Sequence, residues 1–233
     1  MTPAERNAWL EKRNADPDND RPRYRLPELF ATDLYRVFNE GEEADPKFES
    51  GGRLFGGWWM YVPGELRKAI TINKQPTVEL DYANCHPRML YHERGVEADG
   101  DLYELPGIAD AYRDCIKWLM QILINGRGRP EAVEPPETIE FPPDLSITQI
   151  VRLIEEKHQP FADAFRTGAG LRLMRVESDI ALEIVFTAMR DGWTVLPVHD
   201  SFIAPIDHRD RLRAMMIDAY VRRLGKEPVI KEG

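Results

Sequence analysis

Cysteine is scarce: Cys85 and Cys115 are the only two in 233 residues, and they stand in no C-x-x-C spacing. A disulfide framework and a thiolate zinc cluster are thereby excluded. The sequence also lacks a secretory leader and any apolar run long enough to cross a bilayer. The expectation is a reduced, soluble, cytoplasmic protein with no membrane partner. Positive charge is in deficit too: 31 Lys and Arg against 40 Asp and Glu leave a net charge of −9. That balance argues against a uniformly basic nucleic-acid binder but allows a local basic groove. There is no internal repeat, and the 42% hydrophobic content suffices for one substantial core with insertions.

Residues 1–22 are charged and poor in large apolar side chains after Leu10, which reads as a peripheral helix or loose arm. "LPELFATDLYRVFNEG" spaces Leu29, Phe30, Leu34, Val37 and Phe38 near helical period, so a packing helix is expected over 26–41. "GGRLFGGWWMYVP" reads as extended; adjacent tryptophans on a strand point to opposite faces, so one of Trp58 and Trp59 belongs to the core. "AITINKQPTVELDYA" alternates as a hairpin with its turn at 73–76. Helices are expected near 108–125, 146–166, 171–190 and 209–224, with a Pro-rich acidic loop from 129 to 144 and a second hairpin at 193–205.

Three stretches carry chemistry. In "VELDYANCHPRMLY", Val78 and Leu80 alternate with Glu79 and Asp81, so one strand face is apolar and its end delivers a carboxylate. In "WTVLPVHDSFIAP", His199-Asp200 sits at the tip of a hairpin and delivers a second. Two aspartates at two strand ends are the hard-oxygen donors that a pair of Mg²⁺ ions requires for phosphoryl transfer, and two ordinary turn aspartates are the plain alternative. In "YRDCIKWLMQILINGRGR", Arg113, Lys117, Gln121 and Asn125 recur every four residues on one helix face, opposite Ile116, Leu119, Met120 and Ile124. Two fixed cations above such a site suit a triphosphate, although a solvated helix face would look the same.

In order and spacing, this set resembles the palm and fingers motifs of family A DNA polymerases and the related phage-type single-subunit RNA polymerases. Asp81-Tyr82 is similar to motif A, with Arg88 at the position of a family A arginine. Arg113, Lys117 and Gly126 fit the R-x3-K helix of motif B, where Asn125 replaces the expected tyrosine. His199-Asp200 is similar to motif C, and the following Ser201-Phe202 resembles the RNA-polymerase version. Upstream, "ESGGR" resembles a D-x-x-G-R element that contacts the template and hybrid, with Glu49 for Asp and Arg53 retained.

The resemblance implies an α/β (α+β) fold: a polymerase-like palm with a small antiparallel sheet over residues 49–233, and an inserted, reduced helical fingers lobe at about 100–170. Residues 1–48 would be an N-terminal arm or helical region, a reduced thumb at most. It further implies template-directed nucleotidyl transfer, as an RNA polymerase, a primase-like enzyme or a DNA gap-filling enzyme. Asp81, Asp200 and the main chain of Tyr82 would hold two Mg²⁺ ions, with Mn²⁺ as an alternative ion. Lys117, supported by Arg113, would meet the triphosphate; Tyr82, His86, Gln121 and Asn125 would surround the nucleotide. Arg53, Arg127, Arg129, His199 and Glu177 would contact the nucleic acid. The expected partners are a template, nucleoside triphosphates and a protein supplying processivity or template recognition. His86 stands where family A DNA polymerases carry a glutamate that rejects the 2′-hydroxyl, so ribonucleotides are expected to be accepted. Two other readings stay open: a catalytically inactive palm-like nucleic-acid-binding or accessory protein, and a metal-dependent nuclease, which leaves the Arg113–Lys117 helix unexplained.

Overall fold

The computed structural model describes residues 31–39 and 47–233. The arm expected over 1–22, and residues 26–30, 40 and 41 of the expected 26–41 helix, lie outside the described residues. Of the rest, residues 31–34 have no regular structure and 35–38 form a strand. Tyr35–Phe38 (β1) pairs antiparallel with Gly51–Phe55 (β2), in the register Tyr35↔Phe55 and Val37↔Arg53. "YRVF" is β-branched and aromatic, and its alternation satisfies period two as well as 3.6. Pairing with β2 decides between them. The ribbon straddles the boundary drawn at residue 48. The tryptophans are not extended either: Trp58–Tyr61 forms a 3-10 turn, leading to the short helix Gly64–Arg67 (α1). Trp59 is the buried member of the pair, and its Nε1 donates to Pro197 O at 2.8 Å.

The expected hairpin is present. Thr71–Ile72 (β3) turns through Asn73 and Lys74, at φ of 52° and 67°, into Gln75–Tyr82 (β4), so the turn is tighter than 73–76. A helix that the sequence pattern did not announce follows, Cys85–Glu93 (α2). Arg113–Asn125 (α3), Ile147–Lys157 (α4) and Ala169–Arg190 (α5) come next, the first beginning later than expected because residues 110–112 form a 3-10 turn. Leu196–Val198 (β5) and Ser201–Pro205 (β6) make the second hairpin, and Arg209–Leu224 (α6) precedes a last short strand, Ile230–Glu232 (β7).

The result is a mixed α/β fold with small antiparallel sheets. The main sheet runs β3-β4-β6-β5. On the edge of β4 away from β6, β3 pairs with its start and β7 with its end. One face of β4 and β6, through Val78, Leu80, Tyr82, Phe202 and Ala204, packs on the helices, and each of these side chains is buried. The opposite face buries Ile203 and Val198 against Trp59 and Ile70. Leu80 is fully buried, a position where truncation to Ala costs about 2–5 kcal/mol. This two-sided packing holds the ends of β4 and β6 rigid, and Asp81 and Asp200 stand there. Among the described residues no helix is long and apolar enough to cross a membrane.

Candidate active site

Strand pairing alone brings the two aspartates together. Asp81 faces Ser201 across the β4–β6 ladder, and Tyr82 N donates to Asp200 O at 3.1 Å. His199 and Asp200 form the two-residue turn between β5 and β6, with His199 in the left-handed region at φ 57°. Burial, then the neighbouring Asp200 and Glu79 charges, push the Asp81 carboxyl up to about 7, against the pull of Lys117 and Lys231. Burial and Glu177 push Asp200 up as well. Two close, partly desolvated carboxylates repel each other, and a hard divalent cation is the ligand that relieves them. Among the described residues no group of three or more His, Cys, Asp or Glu side chains forms a metal cluster, so any ion here would rest on this pair and main-chain or solvent oxygens. Glu79 adds no free carboxylate, since it accepts a bidentate pair from Arg67 at 3.0 and 2.8 Å and the Ser201 hydroxyl at 2.7 Å.

Asp81, Tyr82, His86, Arg113, Lys117, Gln121, Asn125, Arg53, Glu177, His199 and Asp200 line one cleft of about 610 Å³, and Arg127 and Arg129 do not. Those two are exposed beyond the end of α3, off the cleft wall. Tyr82 reaches the cleft by its main chain: its ring lies against Phe202 and Tyr220, and its hydroxyl donates to Met216 O at 2.6 Å. The α3 stripe faces the cleft as its period requires, and Cys115, Ile116, Leu119 and Leu123 bury the other side; Met120 and Ile124, expected there, instead line the cleft between the polar residues. Lys117 and Gln121 are exposed to the cleft. Arg113 is tethered. Its Nε bonds Asp101 Oδ2 at 2.5 Å, and its guanidinium lies 5.1 Å from the centre of the Tyr103 ring. Burial pushes the Asp101 carboxyl up, but Arg113, the Tyr103 N–H and Asn84 outweigh it and hold it down to about 2. Asn125 Nδ2 donates to Gln121 O at 2.8 Å, which leaves only part of its amide for a ligand.

Glu177 proves to be an anchor. It is 3% exposed, and it accepts Arg53 Nε and Nη2 at 2.9 and 2.8 Å and His86 Nε2 at 2.8 Å. Burial would raise its carboxyl, but the His86 and Arg53 bonds hold it below the ordinary range, so it is ionised and His86 Nε2 is the donor. Its carboxylate is thus committed within the protein, and Arg53 keeps an outward edge at 28% exposure. Burial, then Arg53, push the His199 imidazole down; its ring edge meets Phe55, with centroids 6.1 Å apart. Arg88 is not a cleft residue: 2% exposed, it donates to the carbonyls of Ala83, Ala98 and Gly100 and ties α2 to the loop after it. His92 is buried against the Tyr220 hydroxyl.

Sequence reasoning missed Asp101, Asn84 and Lys231. Asp101 lies in an acidic loop with no motif of its own, and Asn84 holds it at 3.0 Å from a left-handed position before α2. Lys231 sits in a strand too short to carry a period. Compared with protein-family models and with curated proteins, the chain matches none.

Proposed function

We propose that the protein is a template-directed nucleotidyltransferase of the polymerase type, adding nucleotides to a 3′-hydroxyl with release of pyrophosphate. One observation carries the reading. Two strand-end aspartates and a helix stripe bearing Arg113 and Lys117, distant in sequence, line the same cleft. Paired carboxylates alone would suit a nuclease equally; Lys117, which forms no salt bridge among the described residues and lines the same cleft, suits a substrate that arrives with its own polyphosphate.

Asp81, Asp200 and the Tyr82 carbonyl would hold two Mg²⁺ ions. When bound, such ions activate the attacking hydroxyl and neutralise charge on the triphosphate and leaving group. Lys117 meets the phosphates, where its charge interacts more strongly as negative charge grows on the departing pyrophosphate. Arg113 stiffens that wall, held by Asp101 and Tyr103, and turns the rest of its guanidinium to the cleft. His86, fixed from behind by Glu177, forms the floor beside the nucleotide. Arg53 and His199 border the path of the primer or template, and the phosphate backbone is the group that Arg53 would contact.

The test is incubation of purified protein with primed and unprimed templates, Mg²⁺ and separate ribo- and deoxyribonucleotide pools. Template-dependent extension that disappears in Asp81→Asn and Asp200→Asn supports the proposal. Degradation of the template instead would make it a nuclease, and no reaction with retained nucleic-acid binding would make it an inactive palm-like binder.

A further inference from the structure

Lys231 pairs with Asp81 across the β4–β7 ladder, between the pairs Leu80↔Glu232 and Tyr82↔Ile230. Directly opposed residues of neighbouring strands project to the same face. The Lys231 side chain therefore rises beside the Asp81 carboxylate and lines the cleft. Asp81 is bracketed, with the strand leading from Asp200 on one side and Lys231 on the other.

The strand that carries it is well held. Ala83 N donates to Val229 O at 2.8 Å, Gly233 N to Glu79 O at 3.0 Å, and Arg213 Nη1 to Ile230 O at 3.1 Å. The side chain itself is exposed. The two arginines of the cleft are committed to carboxylates, Arg53 to Glu177 and Arg113 to Asp101. Among the described residues neither Lys117 nor Lys231 forms a salt bridge, so both ammonium groups are available to a ligand. They come from different walls: Lys117 from α3, and Lys231 from the edge of the sheet.

We infer that Lys231 is a second phosphate-binding lysine, which grips the polyphosphate of the incoming nucleotide from the sheet side while Lys117 grips it from the helix side. The inference rests on the nucleotidyltransferase reading. It adds that the polyphosphate lies over the β4–β7 edge of the site, away from β6 and the turn bearing Asp200. A flexible ammonium suits this task, because it follows the polyanion from triphosphate to pyrophosphate without the fixed geometry of a guanidinium fork.

The experiment measures equilibrium binding of Mg²⁺ with an α,β-methylene nucleoside triphosphate, and separately of Mg²⁺-pyrophosphate, to wild type, Lys231→Ala and Lys231→Arg. Lys231→Ala is expected to weaken both ligands about tenfold and Lys231→Arg to recover most of the loss, with template affinity unchanged. In turnover, KM for the nucleotide should rise in step with the lost affinity. Polyphosphate affinity within twofold of wild type in Lys231→Ala, with tighter Mg²⁺ binding, would show that Lys231 only neutralises Asp81 and would overturn the inference alone. If wild type binds no Mg²⁺-triphosphate and extends no primer, the underlying reading fails and this inference with it.

Discussion

Glu177 gives the sharpest test of how the cleft is built. Its side chain is 2% exposed, and it receives three charge-assisted bonds, two from Arg53 and one from His86. Removing one partner of a buried pair costs about 3–5 kcal/mol, because the other charge is left desolvated without compensation. Here Arg53 keeps 28% exposure and can rehydrate in part, so Glu177→Ala should cost roughly 2–4 kcal/mol. Glu177→Gln, which keeps one acceptor but turns an N–H donor toward the guanidinium, should cost about 1–3 kcal/mol. At about 2–4 °C per kcal/mol for a domain of this size, the alanine variant should melt roughly 4–16 °C lower. Urea denaturation at pH 7 followed by circular dichroism measures the loss, and the midpoint should fall with the slope unchanged. The double variant with Arg53→Ala should lose less than the sum of the single losses, by about 1–3 kcal/mol. Strict additivity, or a loss below about 0.5 kcal/mol in Glu177→Gln, would refute the assignment of Glu177 as the anchor.

Asp81→Asn and Asp200→Asn should each lower turnover at least about 10³-fold in a primer-extension assay while the far-ultraviolet circular dichroism stays unchanged, since one lost ligand charge disables both ions. Lys117→Ala should raise the nucleotide KM and lower kcat, together costing about 10–100-fold in kcat/KM; loss of template affinity alone would move Lys117 to the nucleic-acid path. Because Asp101 is held down to about 2, its contribution to stability is complete above the ordinary carboxylate value and fades as pH falls from about 4 through 2. The stability gap between wild type and Asp101→Asn should therefore close across that window in urea titrations. Gly170→Ala would place a Cβ 1.8 Å from Asn125 Oδ1, and should destabilise by about 1–3 kcal/mol, with partial recovery when Asn125 is also replaced by Ala.

The parts of the site legible in the sequence are those set by local period. "VELDYA" alternates, so Asp81 had to emerge on the face opposite Leu80, and the R-x3-K spacing had to put Arg113, Lys117 and Gln121 on one side of α3. What stayed illegible is set by tertiary choice. "YRVF" is compatible with either regular structure until β2 offers its edge. Arg88 looks like a site residue in a motif, yet three main-chain carbonyls claim it. Glu177 in "RVESDIALEIV" is expected from the resemblance to contact nucleic acid; only the meeting of β2, α2 and α5 shows it buried as an anchor for Arg53 and His86. Lys231 could not be read at all, because a three-residue strand has no period and its register comes entirely from β4.

On the nucleotidyltransferase reading, the expected sugar preference follows from how His86 and Asn125 are held. Since the ionised Glu177 accepts from Nε2, the ring of His86 is pinned and its Nδ1 edge is the part left for the cleft. A ring pinned in this way cannot swing aside, so it acts as a fixed wall with one polar atom. Asn125, by contrast, has given one Nδ2 hydrogen to Gln121 O and packs its Oδ1 against Gly170, so its capacity to sense a hydroxyl is reduced to the other N–H. Discrimination between ribose and deoxyribose should therefore rest mainly on His86. Ribonucleotides are expected to be accepted, and a bond donated by the 2′-hydroxyl to Nδ1 would be worth about 1–3 kcal/mol, or roughly 5–150-fold in kcat/KM. His86→Ala should remove most of that preference, Glu177→Gln should blunt it by freeing the ring, and Asn125→Ala should change it less than threefold. Competition assays with paired ribo- and deoxyribonucleotides measure all three. Exclusive use of deoxyribonucleotides by wild type, relaxed in His86→Ala, would reverse the sign and make the pinned imidazole a barrier to the 2′-hydroxyl instead of its partner.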